Sequence, residues 1–511
     1  MVVGLTLLAA ALRLYRLGAY GLWRDEAEAV FTARAAFPGG IIQVLTQDVH
    51  APLYFFLLHF WLKIAGQSEF GVRLLSALCG IAIVPLLYVA GRELYDRRAG
   101  MLAAGIGAIL PLHVMTSRTT RMYSLLPLLG LLALFWLHRA LQSGQRAYWL
   151  LYAAAALATA YTHYWGVLWV AALSVAVLFQ LLWERRSPAC WRDWTLASVA
   201  VALGFLPWLP ILWRQMRIQD AVMGPWLPQQ SRVANLLRLF NELTALNWPR
   251  GWPFLWMLLL ALGVFTFRLY WQRRGSERAV PALEISYSLA AAHNLTVAAL
   301  FVPVLLGTFV LASAHGLTPS YVMMAVMPAL CLVCALGIHA LRPWPLAALA
   351  ILLLGAQWLR IDVGIYSGPI SSLREVAQHV AREAGPKDIV VVAPDYLAPT
   401  FSYYFHGSQA QIAFPWLFRR VEGMDWVGWA DRRARAAAAV PATLDYIASI
   451  KAPAARIWLI APLNAYPGDP FFDQIRALKA VLDDRYRRLE TIEAYRGPVE
   501  TADIVIYGSN P

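Results

Sequence analysis

Long apolar runs alternate with short polar connections through the first 360 residues of the chain. The first run covers residues 2–18, and the others lie near residues 70–90, 100–116, 122–138, 148–164, 166–183, 195–213, 253–271, 290–313, 320–341 and 343–360. A helix needs roughly 20 apolar residues to cross the hydrocarbon layer of a membrane, and each run approaches that length. The pattern predicts an α-helical polytopic membrane domain over residues 1–360, with about eleven transmembrane helices.

Arginine is concentrated on alternate connections between these runs. The Arg-rich connections are residues 92–98, 138–146, 184–192 and 273–278. Because cytoplasmic loops carry an excess of Lys and Arg, this bias predicts a cytoplasmic N-terminus. The loop of residues 19–69 and everything after residue 360 then lie on the outer side. Arg24, Arg118 and Arg121 also fall on that side, against the bias, and such charges more often have a local task.

The outer loop contains a short, strongly aromatic segment at residues 51–61. Eleven residues are too few to span a bilayer as a helix. This composition is typical of an amphipathic or re-entrant helix that lies in the interface plane. Pro52 is well placed to begin that helix, because proline is favoured in the first helical turn.

The composition changes after residue 360. Short apolar runs rich in β-branched residues predict buried strands at 388–394, 455–462 and 502–508. Helical periodicity appears near residues 372–381, 440–450 and 470–488. Strands that alternate with helices are typical of an α/β domain with a partly parallel sheet. We therefore predict a second, soluble α/β domain over residues 361–511, on the periplasmic or extracellular side of the membrane.

The composition agrees with a membrane protein. Of the 511 residues, 59% are hydrophobic and 14% are charged, whereas soluble proteins carry roughly 25% charged residues. The net charge is +13, which the bias of Lys and Arg towards cytoplasmic loops explains. No basic patch with interleaved aromatic residues and no recognition motif accompanies this charge. Membrane lipids are therefore predicted partners, and nucleic acid is not.

Two adjacent acids, Asp25 and Glu26, follow the first apolar run. An acid at a membrane boundary can serve as a proton acceptor, because burial and neighbouring charges tune its pKa. Asp25 is therefore a candidate general base for an attacking hydroxyl or amine. The alternative is that both acids only begin a helix, since carboxylates are favourable at a helix N-terminus.

A second polar cluster, Asp48-Val49-His50, precedes the aromatic segment. His50 can contact an anionic phosphate or a metal ion, and Asp48 is a candidate to orient it. The alternative is an Asp turn before a helix, with an incidental histidine.

Further candidates lie at the outer ends of later runs. Arg118 and Arg121, followed by Tyr123, can hold a lipid phosphate through paired hydrogen bonds. The alternative is that these arginines anchor helix ends by extending towards water. His163 lies at the end of the run 148–164, where aromatic belts supply Tyr and Trp but not His, so it is a further candidate.

Taken in order, these segments resemble the GT-C membrane glycosyltransferases, and within them the protein O-mannosyltransferases and the bacterial aminoarabinose-transferase-like proteins. The similarity covers most of residues 10–345. The segments that carry it are Asp25-Glu26, Asp48-Val49-His50-Ala51-Pro52-Leu53, Arg121-Met122-Tyr123 and Thr162-His163-Tyr164.

The resemblance implies a fold of the GT-C type and a hexosyl- or pentosyltransferase that uses a sugar linked to polyprenyl phosphate. Asp25 would deprotonate the acceptor, which attacks the anomeric carbon in one inverting displacement at the outer face of the membrane. Glu26 would position the acceptor or tune Asp25. The acceptor would be a protein, lipid or glycan, and the domain after residue 360 would select it. The side chains that would bind the donor phosphate are His50, Arg118, Arg121 and Tyr123.

The resemblance further implies a bacterial inner-membrane protein without an obligatory metal, because Val49 stands where some relatives carry an acid. Two alternatives remain open. One is a non-enzymatic transporter or flippase for lipid-linked sugars, and the other is a glycan polymerase or ligase with a diphosphate-linked donor. A transporter would more often place ionisable groups deep inside its spans. Here the ionisable residues cluster at the outer boundary, which favours an enzyme.

Overall fold

A computed structural model of the chain describes residues 1–183, 187–223, 234, 238, 256–264, 293–304, 324–341, 344–366, 368–415, 429–463, 470–493 and 500–509. The predicted Arg-rich connection at 273–278 lies outside these residues, as does the segment 184–186.

The N-terminal part of the chain is helical. Its helices up to residue 223 are α1 (Val2–Leu14), α2 (Arg24–Arg34), α3 (Gly39–Leu45), α4 (Leu53–Ala65), α5 (Glu69–Leu94), α6 (Arg97–Ile109), α7 (Pro111–Ser117), α8 (Leu125–Ser143), α9 (Arg146–Thr162), α10 (Tyr164–Trp183), α11 (Pro188–Phe205) and α12 (Leu209–Met223). Later helical segments are 256–264, His293–Val304, Met327–Ala340 and Trp344–Ile365.

Four helical stretches of the described residues are long and apolar enough to cross a membrane: Glu69–Leu94, Leu125–Ser143, Tyr164–Leu182 and Pro188–Arg217. Helices α6 and α7 make a fifth if they count as one span, although they meet at a bend of 58°. The bend falls at Pro111, where a proline has no N–H to continue the helical hydrogen bonds. Several other predicted spans form shorter apolar helices, so the number eleven stays a prediction.

Close helix packing holds the long helix α5 at the centre of the bundle. A Cβ atom on Gly91 of α5 would lie 2.7 Å from the Cα of Gly100 on α6. This approach is possible because neither residue carries a side chain, as is common between membrane helices. Helix α5 also packs against α1, α7 and α8. Its N-terminal end therefore has a fixed position relative to the polar loops beside it.

The loop of residues 19–69, which is predicted to lie on the outer side, is largely helical. It contains α2, α3 and α4, and α4 begins directly after Pro52. The predicted helix in the aromatic segment is therefore confirmed as a helix. Its position relative to a membrane plane stays a prediction.

A five-stranded sheet forms in the C-terminal part of the chain, with strand order β2-β1-β3-β5-β4. Its strands are β1 (Ile389–Val392), β2 (Ala410–Ala413), β3 (Ile457–Ala461), β4 (Arg487–Ile492) and β5 (Asp503–Gly508). The pairs β1–β2 and β1–β3 are parallel, and β5 runs antiparallel to both β3 and β4. Helices around this sheet are Leu373–Glu383, Ala398–Tyr404, Trp429–Ile450 and Pro470–Arg485.

Strands β1, β3 and β5 occupy the three predicted strand segments, whereas β2 and β4 had no counterpart in the prediction. The domain boundary at residue 360 stays a prediction. The end of β1 leads towards the outer loop: Tyr396 lies four residues beyond the strand, and the guanidinium of Arg24 is 5.7 Å from its ring centroid. Helix Ala398–Tyr404 packs on α2. The C-terminal part therefore covers the segment that carries Asp25.

Candidate active site

The two acids predicted from the sequence lie in the first turn of α2. The N–H of Trp23 donates to Oε2 of Glu26 at 3.4 Å, so the Glu26 side chain caps the start of the helix. Two acids in a first turn also agree with the helix dipole. The alternative interpretation of the two acids, that they begin a helix, therefore describes part of the role of Glu26.

Glu26 is fully buried and its carboxylate is occupied by protein partners. Arg73 of α5 donates from Nε to Oε1 at 2.8 Å and from Nη2 to Oε2 at 2.6 Å. The N–H of Thr120 donates to Oε1 at 2.9 Å. The Glu26 and Arg73 side chains are 0% and 6% exposed. Glu26 thus joins α2 to α5 and to the turn that carries Arg121. None of these hydrogen bonds involves Asp25.

Asp25 faces away from that pair, towards two other arginines. Its Oδ1 accepts from Arg24 Nε at 3.2 Å, and its Oδ2 lies 3.7 Å from Arg121 Nη2. Its side chain is 13% exposed. Burial opposes ionisation, but the positive charges of Arg121 and Arg24 outweigh it and lower the pKa of Asp25. Asp25 is therefore a carboxylate at neutral pH.

A chain of polar contacts leads from Arg121 to Asp48. Arg121 Nη2 lies 2.9 Å from His50 Nε2, and His50 Nδ1 lies 2.9 Å from Asp48 Oδ1. A guanidinium can only donate, so His50 Nε2 accepts from Arg121. His50 then carries its hydrogen on Nδ1 and donates it to Asp48, which makes the imidazole neutral. The structure thus brings four of the predicted residues, including Asp25, into one contiguous cluster.

A third acid, Glu28, which the sequence analysis missed, lies one helical turn after Asp25. Burial raises its pKa to about 8; Arg24 opposes this, and the carboxylates of Asp25 and Asp48 reinforce it. Glu28 is therefore protonated at neutral pH. Its Oε1 atom is buried without a hydrogen-bond partner. The signal was present in the sequence, because residues three apart on a helix share a face.

Two more buried donors have no hydrogen-bond partner: Nε of Arg121 and Nε1 of Trp23. Arg121 lies beside Asp25, with its Nη2 atom 3.7 Å from Oδ2. Most buried polar groups in proteins are paired, so an unpaired donor beside a carboxylate points to a ligand that completes it.

Tyr123 and His163 adjoin this cluster, because both interact electrostatically with Arg121. The ring of His163 is 6.0 Å from that of Tyr123, two residues beyond Arg121. Arg118 is placed elsewhere: its Nη1 donates to the carbonyls of Leu12, Arg13 and Tyr15 at 3.2, 2.9 and 2.8 Å. It caps the C-terminal end of α1, which is a structural task, and its role in phosphate binding stays a prediction.

No group of three or more His, Cys, Asp or Glu side chains is arranged to hold a metal ion in the part of the chain that the structure describes. The prediction that no metal is obligatory is not tested by this.

The chain was compared with known proteins. Residues 49–213, about a third of the chain, match the sequence profile of the dolichyl-phosphate-mannose-protein mannosyltransferase family. The matched region includes His50, Arg121 and His163 but not Asp25. No curated protein matches the chain.

Solved structures match over nearly the whole length. The apo structure of ArnT from Cupriavidus metallidurans has a TM-score of 0.61 at 14% identity and covers 100% of this chain and 99% of its own. ArnT bound to undecaprenyl phosphate gives 0.60 at 15% identity, covering 99% and 97%. The oligosaccharyltransferase AglB from Archaeoglobus fulgidus, in complex with an inhibitory peptide and a dolichol-phosphate, gives 0.53 at 12% identity, covering 100% and 74%.

These matches define the class of the fold. The chain shares its fold with ArnT and AglB, and the resemblance seen in its sequence agrees with the mannosyltransferase family profile over residues 49–213. Its apolar helices agree with a membrane protein of that class.

The buried ion pair gives a first testable prediction. Glu26→Gln should lower the free energy of unfolding by ~3–5 kcal/mol, because it leaves Arg73 as a buried charge without a counter-ion. The measurement is the thermal unfolding midpoint of the purified protein in detergent, together with the yield of monodisperse protein.

Glu375→Gln is the matched control. Glu375 also pairs with an arginine, Arg374, but its side chain is 54% exposed, so its loss should change stability little. Equal midpoints for the Glu26 and Glu375 variants would contradict the structural role of the buried pair.

Proposed function

We propose that the chain is an inverting glycosyltransferase that moves a sugar from a polyprenyl-phosphate donor to an acceptor at the outer face of the membrane. The observation that carries this proposal is the ionised carboxylate of Asp25 beside Arg121, whose buried Nε donor has no partner. A base and a cationic donor in one place are what a displacement with a phosphate leaving group requires.

Asp25 is the proposed base. The acceptor oxygen or nitrogen attacks the anomeric carbon, and the bond from that carbon to the phosphate oxygen breaks on the opposite side. The acceptor proton moves to the Asp25 carboxylate, and the bonding electrons leave with the polyprenyl phosphate. Because the pKa of Asp25 is lowered, the group is unprotonated at the start. Transfer of the proton is favourable only once the new bond has made the acceptor acidic.

Arg121 is the proposed phosphate-binding residue. It is 4% exposed, and it is fixed by the carbonyl of Asp25 at 3.2 Å and by His50 at 2.9 Å. A donor held in this way needs no rearrangement as negative charge develops on the leaving group. His50 acts through Arg121, because its Nε2 atom is engaged as an acceptor. Arg118 is left out of the proposed site.

The donor class is supported by the structural neighbours, which were solved with undecaprenyl phosphate and with dolichol-phosphate. The acceptor and the sugar stay open: a protein, lipid or glycan acceptor and a hexose or pentose fit the same geometry. The proposed location is the bacterial inner membrane, with the N-terminus in the cytoplasm and the C-terminal region outside.

Asp25→Asn tests the base. The substitution preserves size but removes the proton acceptor, so transfer should fall by about 10²–10⁴-fold, the usual contribution of a general base. The measurement is transfer from polyprenyl-phosphate sugars by the purified, folded protein, with sugar and acceptor screened by mass spectrometry.

Asp96→Asn is the control, because Asp96 caps α6 and is half-exposed. It should keep full activity. Full activity of the Asp25 variant would remove the base assignment. Translocation of a lipid-linked sugar without transfer would support a flippase instead, and activity only with diphosphate-linked donors would support a polymerase or ligase.

Glu28 predicts a pH dependence. The carboxyl is neutral below its raised pKa of about 8. Above that pH it becomes a third carboxylate, next to those of Asp25 and Asp48, in a site that is proposed to receive a phosphate. The transfer rate of the wild type should therefore fall as the pH rises through about 8, whereas Glu28→Gln should lose this decline. The measurement is the pH–rate profile of the wild type and of Glu28→Gln, with Glu490→Gln as a control at an exposed acid. Identical profiles of the wild type and Glu28→Gln would exclude Glu28 as the titrating group.

The proposed orientation can be tested by cysteine labelling. After replacement of Cys190, which is only partly buried, a cysteine at the exposed Ser408 should react with an impermeant reagent in intact cells. A cysteine at the exposed Ser143 should react only after the membrane is permeabilised. The reverse pattern would overturn the orientation.

A further inference from the structure

Three side chains of the C-terminal region bind the main chain just before Asp25. Arg374 Nη2 donates to the carbonyl of Ala19 at 3.1 Å. The hydroxyl of Tyr404 accepts from the N–H of Leu22 at 2.6 Å. Oε1 of Glu500 accepts from the N–H of Arg24 at 2.8 Å. All three partners lie within six residues, and Asp25 follows directly.

These contacts provide the backbone hydrogen bonds that a helix or a strand would otherwise supply to this stretch. The residues between α1 and α2 form no strand and no α-helix, and the N–H of Arg24 is in the first turn of α2, where helical N–H groups have no intrahelical partner. Glu500 therefore serves as a cap for α2 that comes from the other end of the chain.

The membrane region holds the same stretch from the opposite side. Arg73 donates to the carbonyls of Leu17, Tyr20 and Gly21 at 3.0, 2.8 and 2.9 Å. Carbonyl groups are thus held mainly by α5, and the N–H groups of Leu22 and Arg24 are held by the C-terminal region. The stretch is therefore held from two sides, by α5 and by the C-terminal region.

The three C-terminal side chains are themselves held in position. Arg374 Nη1 and the Tyr404 hydroxyl both donate to Oε1 of Glu69, each at 3.3 Å. Glu500 is 3% exposed, and its Oε2 accepts from the hydroxyl of Thr400 at 3.2 Å. A Cβ on Gly21 would lie 2.9 Å from Cβ of Arg374, so glycine is needed for this close approach.

We propose that Glu500 and Tyr404 are positioning residues for Asp25, so that the C-terminal region completes the active site for every acceptor. This inference rests on the proposed function. It differs from the expectation that the region only selects the acceptor, because a residue that orients the base affects the chemical step itself. A misplacement of a reacting group by about 1 Å can cost on the order of 10²-fold in rate.

The test compares Glu500→Ala and Tyr404→Phe with Glu500→Gln in the full-length protein. The alanine variant loses the acceptor for Arg24 N–H, and the phenylalanine variant loses the acceptor for Leu22 N–H. Glutamine keeps an acceptor oxygen. We expect kcat to fall by about 10–100-fold in the first two variants, with the KM of the polyprenyl-phosphate donor changed little, and to recover in Glu500→Gln. Glu490→Ala, an exposed acid of the same region, should behave as the wild type.

A second readout does not depend on activity. Hydrogen–deuterium exchange of peptides covering residues 17–27 should be faster in Glu500→Ala and Tyr404→Phe, while peptides from α8 stay unchanged. Unchanged exchange in both variants would overturn the inference whatever the enzyme does. So would an unchanged kcat with a raised KM for the acceptor alone, since that is the signature of acceptor selection. Failure of the proposed function appears differently, as no transfer by the wild type, and the exchange data would then still decide whether these residues hold the segment.

Discussion

The buried ion pair between Glu26 and Arg73 is the constraint on which the candidate site depends. Arg73 uses its donors on both Glu26 oxygens and on three carbonyls of the preceding loop. Burying two charges costs desolvation energy, which close geometry and full hydrogen bonding offset. Such a pair contributes less to net stability than to geometry. Here it fixes the start of α2 against α5, and through Thr120 it fixes the turn that ends at Arg121.

The same arrangement brings the charged groups of the candidate site together. Three carboxylates (Asp25, Glu26 and Asp48) lie among three guanidinium groups (Arg24, Arg73 and Arg121), while His50 and Glu28 are neutral. Each of these guanidinium groups already lies beside a carboxylate before a substrate binds. In the proposed reaction an incoming phosphate adds negative charge to this cluster, so hydrogen-bond donors are needed to stabilise it. The unpaired Nε of Arg121 is such a donor.

Local motifs in the sequence predicted Asp25, His50 and Arg121, because each lies in a short polar segment that interrupts the apolar pattern. Three-dimensional partners were beyond such reasoning. Arg73 is 47 residues from Glu26 and lies inside an apolar run. Arg118 and Arg121 looked equivalent, but α7 ends at Ser117 and the following turn sends Arg118 to α1 and Arg121 to Asp25. Strand β4 was missed because it is mostly exposed and polar.

The lowered pKa of Asp25 explains why the surrounding framework is so extensive. A carboxylate stabilised by two arginines is a weak base, so it gains little from intrinsic basicity. In the proposed reaction its contribution must then come from orientation, since a correctly placed weak base can accept a proton at the moment the new bond forms. Orientation is set by the loop that precedes α2, and that loop has no helix or strand of its own. Support from α5 on one side and from the C-terminal sheet region on the other supplies the rigidity that the local sequence lacks.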